Sequence, residues 1–77
     1  MSSQVTTILY AVSAMGDDGI QVYKALTEHG SSRMRTVSWQ RFLSLSNGWN
    51  KPEEWSIALK DRDEGVRTAV LLSLIHI

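Results

Sequence analysis

Two stretches of this chain are loose copies of each other. "ALTEHGSSRMRTV" covers residues 25 to 37 and "ALKDRDEGVRTAV" covers residues 58 to 70. Sliding the chain by 32 residues carries Val5 onto Val37 and then onto Ala69, Tyr10 onto Phe42, Gly16 onto Gly48 and Tyr23 onto Trp55. The same shift lays Met34-Arg35-Thr36-Val37 on Val66-Arg67-Thr68-Ala69. The Ala25-Leu26 and Ala58-Leu59 pairs need 33, which one residue of slack in a turn absorbs. A period of this length is one supersecondary unit, too small to bury its own apolar face, so neighbouring units must cover one another.

The unit is helical. Val5, Ile8, Leu9, Val12 and Met15 fall on one helical face, and the other segments show similar spacing. Helices are predicted at about 3–15, 19–28, 33–46, 52–60 and 64–71. Ser2 or Ser3 can cap the first, and Gly16 can take the left-handed position after it. Asp17 or Asp18 can cap the second, Ser31 or Ser32 the third, and Asp61 or Asp63 the fifth. Pro52 suits the first turn of the fourth, with Asn50 a candidate cap and Glu53 and Glu54 placed to complement the helix dipole. In the third, Met34, Val37, Phe42 and Leu45 are the expected inward face. No segment alternates with a period of two, so no strand is expected. The expected fold class is all-α: about five short helices stacked as antiparallel pairs, with the second and fourth running side by side.

The second copy resembles the HEAT-like repeats, whose second helix opens on an aspartate turn followed by Val-Arg and an alanine. Here those residues are Asp61, Asp63, Val66, Arg67 and Ala69. Upstream, Gly30, Ser31 and Ser32 replace the aspartates, Met34 the valine and Val37 the alanine. The resemblance spans residues 5 to 70 and implies an α-solenoid fragment, residues 1–71, with the first helix as its cap. Its Arg67 is placed to pair with an aspartate of the turn.

The last six residues, "LSLIHI" (72 to 77), resemble the translation of CTG TCT CTT ATA CAC ATC, the mosaic end of a common transposon-based sequencing adapter. That resemblance implies a non-native tail, a natural sequence stopping near Leu71, and further repeats of the same chain downstream.

Composition narrows the function. The chain has 77 residues, eight basic and eight acidic, and no cysteine. Zero net charge argues against a strong non-specific nucleic-acid binder. Without cysteine there are no disulfides or thiolate metal sites, which fits a reducing, cytoplasmic location. No apolar run reaches the roughly 18 residues a membrane span needs, and the N-terminus lacks the basic start of a signal peptide. His29 stands alone in a turn without metal-ligand spacing around it. No nucleophile elbow or phosphate loop is present, and the acidic pairs read as caps. No cofactor and no catalytic activity are expected.

The candidate partner-binding residues are Arg33, Arg35, Trp39 and Arg41, because arginine and tryptophan dominate protein-interaction hot spots. Their alternative use is internal, with Trp39 packed between repeats and the arginines paired with acidic neighbours. The leading expectation is a non-enzymatic interaction scaffold with a protein partner. The second is a DNA-binding helix-turn-helix over residues 19–46, which would aim Ser38, Gln40 and Arg41 at base edges.

Overall fold

A computed structural model of the chain describes residues 2–76, with side chains from Gln4 onward. The side chains of Ser2 and Ser3, either of which was the expected cap, and Ile77 of the tail lie outside what is described. Five α-helices and no strand are present among them: α1 (Ser2–Ser13), α2 (Ile20–Leu26), α3 (Ser32–Leu45), α4 (Pro52–Ala58) and α5 (Glu64–Ile75). Short 3-10 turns at Gly16–Gly19 and Gly48–Asn50 lead into α2 and α4.

The 32-residue shift reappears in the element boundaries. Both 3-10 turns open on its glycines, at 16 and 48. The helices they lead into begin at 20 and 52 and end at 26 and 58. α3 and α5 begin at 32 and 64, while α1 and α3 end at 13 and 45.

The local chemistry explains the agreement. Ser31 Oγ accepts the Met34 N–H at 3.3 Å, and Asp63, 32 residues on, accepts the Val66 N–H at 3.1 Å. These are the two N-caps of α3 and α5, each satisfying a backbone donor that has no partner within its helix. Gly16 takes the left-handed conformation after α1, with φ of +61°. In the second unit that conformation falls one residue earlier, on Asn47.

Two expected caps are not formed. Asp17 and Asp18 lie inside the first 3-10 turn, whose backbone already receives the Ile20 N–H at Asp17 O. Lys51, rather than Asn50, holds the N-cap position of α4, and the Asn50 side chain donates to Asn47.

α3 is the hub. α2 folds back along it, α5 lies against it, and α1 and α4 touch it less extensively. The core gathers Val12, Tyr23, Trp39, Phe42, Leu43, Ala58, Val66 and Val70. The inward side of α3 is Met34, Arg35, Ser38, Trp39, Phe42 and Leu43. Relative to the expected face it is turned by roughly 80°, at about 100° per residue. Met34 and Phe42 remain inside, Val37 is half-buried and Leu45 is exposed. The cause is long-range: Arg35 is drawn inward by a carboxylate on another turn.

Side-by-side stacking of α2 on α4 is not formed. The two helices pack on α3 rather than on each other, and a groove opens between them. Each is only two turns long, and the Trp39 indole and the Phe42 ring of α3 line the space between them. Positions matched by the 32-residue shift are also unequal in burial. Tyr10 is 78% exposed while its counterpart Phe42 is 5% exposed, and Tyr23 is buried while Trp55 is half-buried. Val5, Val37 and Ala69 are all half-buried. α5 continues past residue 71 to Ile75, and Leu74 packs against the core. No helix among the described residues is long and apolar enough to cross a membrane. The radius of gyration, 11.7 Å, is close to the roughly 11.5 Å of a compact globule of this length.

Candidate functional site: a groove between matched helices

The groove between α2 and α4 holds about 710 Å³. Trp39 and Phe42 of α3 form its floor. Their rings meet edge to face, with centroids 6.2 Å apart and planes at 68°, the arrangement that aromatic quadrupoles favour. Ala25 and Ile57 stand on the walls, 32 residues apart in the chain. So do the equivalent pairs Gln21 and Glu53, and Glu28 and Lys60. Ile57 is 60% exposed, a large apolar side chain left in water beside an aromatic floor. The Lys24 ammonium lies 5.9 Å from the Phe42 ring centroid, within reach of a cation–π attraction.

One end of the groove is fixed by Arg35. Its Nε and Nη2 donate to the two carboxylate oxygens of Asp61 at 2.9 and 3.1 Å. Its Nη1 donates to the carbonyls of His29 and Gly30 at 2.9 and 3.0 Å. A single guanidinium thus ties the turn after α2 to the turn after α4. Both partners are buried, at 5% and 8% side-chain exposure. Burial alone would raise the Asp61 carboxyl. The Arg35 hydrogen bonds, the Asp63 N–H and the charges of Arg35 and Arg62 outweigh it and hold the group below its ordinary value. Arg67, the counterpart of Arg35, donates to the backbone carbonyl of Asp61 at 2.6 Å, not to an aspartate side chain as its position implied. Both arginines therefore reach back six residues to a carbonyl at the end of the preceding helical segment.

The four residues singled out in the sequence do not converge. Arg35 is only 4% exposed and engaged inside the fold, so it presents no free guanidinium to a partner. Trp39 is 8% exposed and lines the groove floor. Arg33 and Arg41 are exposed and belong to the opposite side of α3. Arg41 borders a separate cleft of about 160 Å³ with Tyr23 and Leu45. The helical period separates them, since positions 35 and 39 fall on one face and 33 and 41 on another.

The base-reading set of a helix-turn-helix is also divided. Ser38 is fully buried, and Gln40 is half-buried with its amide 3.4 Å from Ser73 Oγ. Only Arg41 of that set is exposed. His29 accepts the Ser31 N–H at Nδ1, and the described residues contain no group of three or more His, Cys, Asp or Glu placed to hold a metal ion.

The groove residues missed in the sequence are Lys24, Glu28, Glu53, Glu54 and Ile57, while Phe42, expected on the inward face, joins the floor. The signal that finds them is the shift itself, because matched positions on α2 and α4 line one space. What the fold and site define is an all-helical domain whose paired short helices flank an aromatic-floored groove. Protein-family models, curated protein sequences and solved structures yield no match to the chain.

Proposed function

We propose that the chain is a non-enzymatic protein-interaction module of HEAT-like helical-repeat type, binding a segment of a partner protein in the groove between α2 and α4. One observation carries the reading. Matched residues of successive units, Ala25 with Ile57 and Gln21 with Glu53, line a single groove. Repeat proteins bind on surfaces assembled in this way, each unit contributing the same positions. The groove has an apolar floor and polar walls, the makeup of a protein contact with a dry centre and a wet rim.

The module belongs to a longer stack in this reading. On α3, Trp39 and Leu43 are 8% and 0% exposed. Their counterparts on α5 are Leu71, 49% exposed, and Ile75, 69% exposed but within the stretch that resembles an adapter. A further unit at the same spacing would cover them as the second unit covers α3.

The test is selection of peptides from a displayed random library on the immobilised chain, followed by amide-shift mapping. Enriched peptides should perturb Lys24, Ala25 and Ile57, and Ile57→Glu should weaken them at least tenfold. Failure to enrich any peptide, or a footprint away from α2 and α4, overturns the reading.

A further inference from the structure

We infer that the segment recognised by the groove is basic at one end and apolar in the middle. The inference rests on the proposed interaction module and names the chemistry of its partner.

The charges around the groove are not evenly mixed. Glu53 and Glu54 occupy the first turn of α4. The Lys24 ammonium stands over the Phe42 ring of the floor, and Lys60 follows the end of α4. Glu28 lies near that second end, where a lysine can balance it. Asp61 is also there, but its charge is already met by Arg35. Among the groove-lining side chains, two carboxylates without an ion pair stand together at the Glu53–Glu54 end, partly offset by the helix dipole and Lys51, and the matched residue across the groove is the neutral Gln21. Glu53 is exposed and Glu54 half-buried, and no ion pair to either is formed among the described residues. Between the two ends lies the apolar stretch of Trp39, Phe42 and Ile57.

A ligand complementary to this surface places bulky apolar side chains over the aromatic floor and an arginine or lysine against the two glutamates. Complementary charge of this kind fixes the direction of docking and raises the association rate. An acidic segment or a nucleic-acid backbone would meet like charge at the same end. The open apolar ridge of α5, Leu71, Leu72 and Ile75, carries no basic residue between those positions, so that ridge of a second copy does not match both the floor and the acidic end of the groove.

The experiment uses the full chain and the library peptides that bind it, with three readouts. Groove-binding peptides should be enriched in arginine or lysine at one end relative to the unselected library. A synthetic copy of the best peptide with its basic residues changed to glutamate should bind at least tenfold more weakly. The Glu53→Lys/Glu54→Lys variant should reverse that order, while Glu53→Gln/Glu54→Gln should remove the preference with helicity by circular dichroism unchanged. Groove-binding peptides without basic enrichment, or equal binding to the wild-type and charge-reversed chains, would sink the inference and leave the interaction module standing. Selection of no groove-binding peptide would sink both. A chain that sediments as a dimer and becomes monomeric on Ile57→Glu would assign the groove to a second copy instead.

Discussion

Arg35 and Asp61 are 26 residues apart in the chain and share a two-pronged, buried ion pair. The pair joins the turns that follow α2 and α4, and so sets the width of one end of the groove. Taking a single partner away leaves a buried charge without compensation, which costs about 3–5 kcal/mol. Arg35→Ala and Asp61→Ala are each expected to destabilise on that scale, a large fraction of the stability of a domain this small. The double variant should lose clearly less than the sum of the two. Urea denaturation followed by circular dichroism measures all three. Strict additivity would mean that the two side chains do not interact in solution.

The same pair gives the fold an acid dependence with a definite sign. The Asp61 carboxyl is held below its ordinary value of 3.8 in the folded chain. A depressed carboxyl contributes stability that is fully present above the unfolded value and is lost as pH falls through the folded one. Thermal midpoints should therefore hold as pH drops toward about 4 and decline below it. In Arg35→Met the decline in that window should be shallower, because the main group holding the carboxyl down is gone. Parallel curves for the two chains would place the acid sensitivity elsewhere.

Ser38 is fully buried, and its hydroxyl has no hydrogen-bond partner among the described residues. A buried hydroxyl without a partner is unfavourable by about 1–3 kcal/mol, and alanine is also the better helix former. Ser38→Ala should raise stability by about 1 kcal/mol, read as a shift of the urea midpoint at constant slope. A loss of stability would show that the hydroxyl is satisfied after all.

What could be read from the sequence was local. Ser31 and Asp63 cap their helices because an N-cap needs only a side-chain oxygen three residues before a free N–H. Pro52 opens α4 and Gly16 ends the first helical segment for similarly short-range reasons. The orientation of α3 was legible only in part: the internal use of Trp39 and of an arginine paired with an aspartate was one of the two readings of those residues, while the apolar spacing pointed to a face that includes Leu45. Arginine usually faces water, and only the meeting with Asp61 turns Arg35 and Trp39 inward and leaves Leu45 outside. The groove depends on that orientation, because rotating α3 would remove its floor. Tyr10 misled for the opposite reason: it matches Phe42 in the chain, but its ring is left exposed. The helix boundaries follow the 32-residue spacing even where the matched letters differ.

The two glycines of the first 3-10 turn should respond to substitution in different ways. Gly16 has φ of +61° and open space around the site of a Cβ, so alanine there meets backbone strain alone. Gly16→Ala should cost about 1–2 kcal/mol. At Gly19 a Cβ would lie 2.9 Å from the carbonyl oxygen of Val12, which is backbone and cannot swing aside. Gly19→Ala must push α1 from its seat, and its amide shifts should spread through Val12 and Leu9. Chemical synthesis separates the two causes. D-alanine prefers the left-handed region, so at position 16 it should restore or slightly exceed the stability of the glycine chain, by about 0.4–1 kcal/mol. The Val12 carbonyl is a separate steric block, so D-alanine at position 16 should leave the Gly19→Ala defect in place when the two are combined. Loss of stability with D-alanine at position 16 would mean that the turn after α1 does not hold the left-handed conformation in solution.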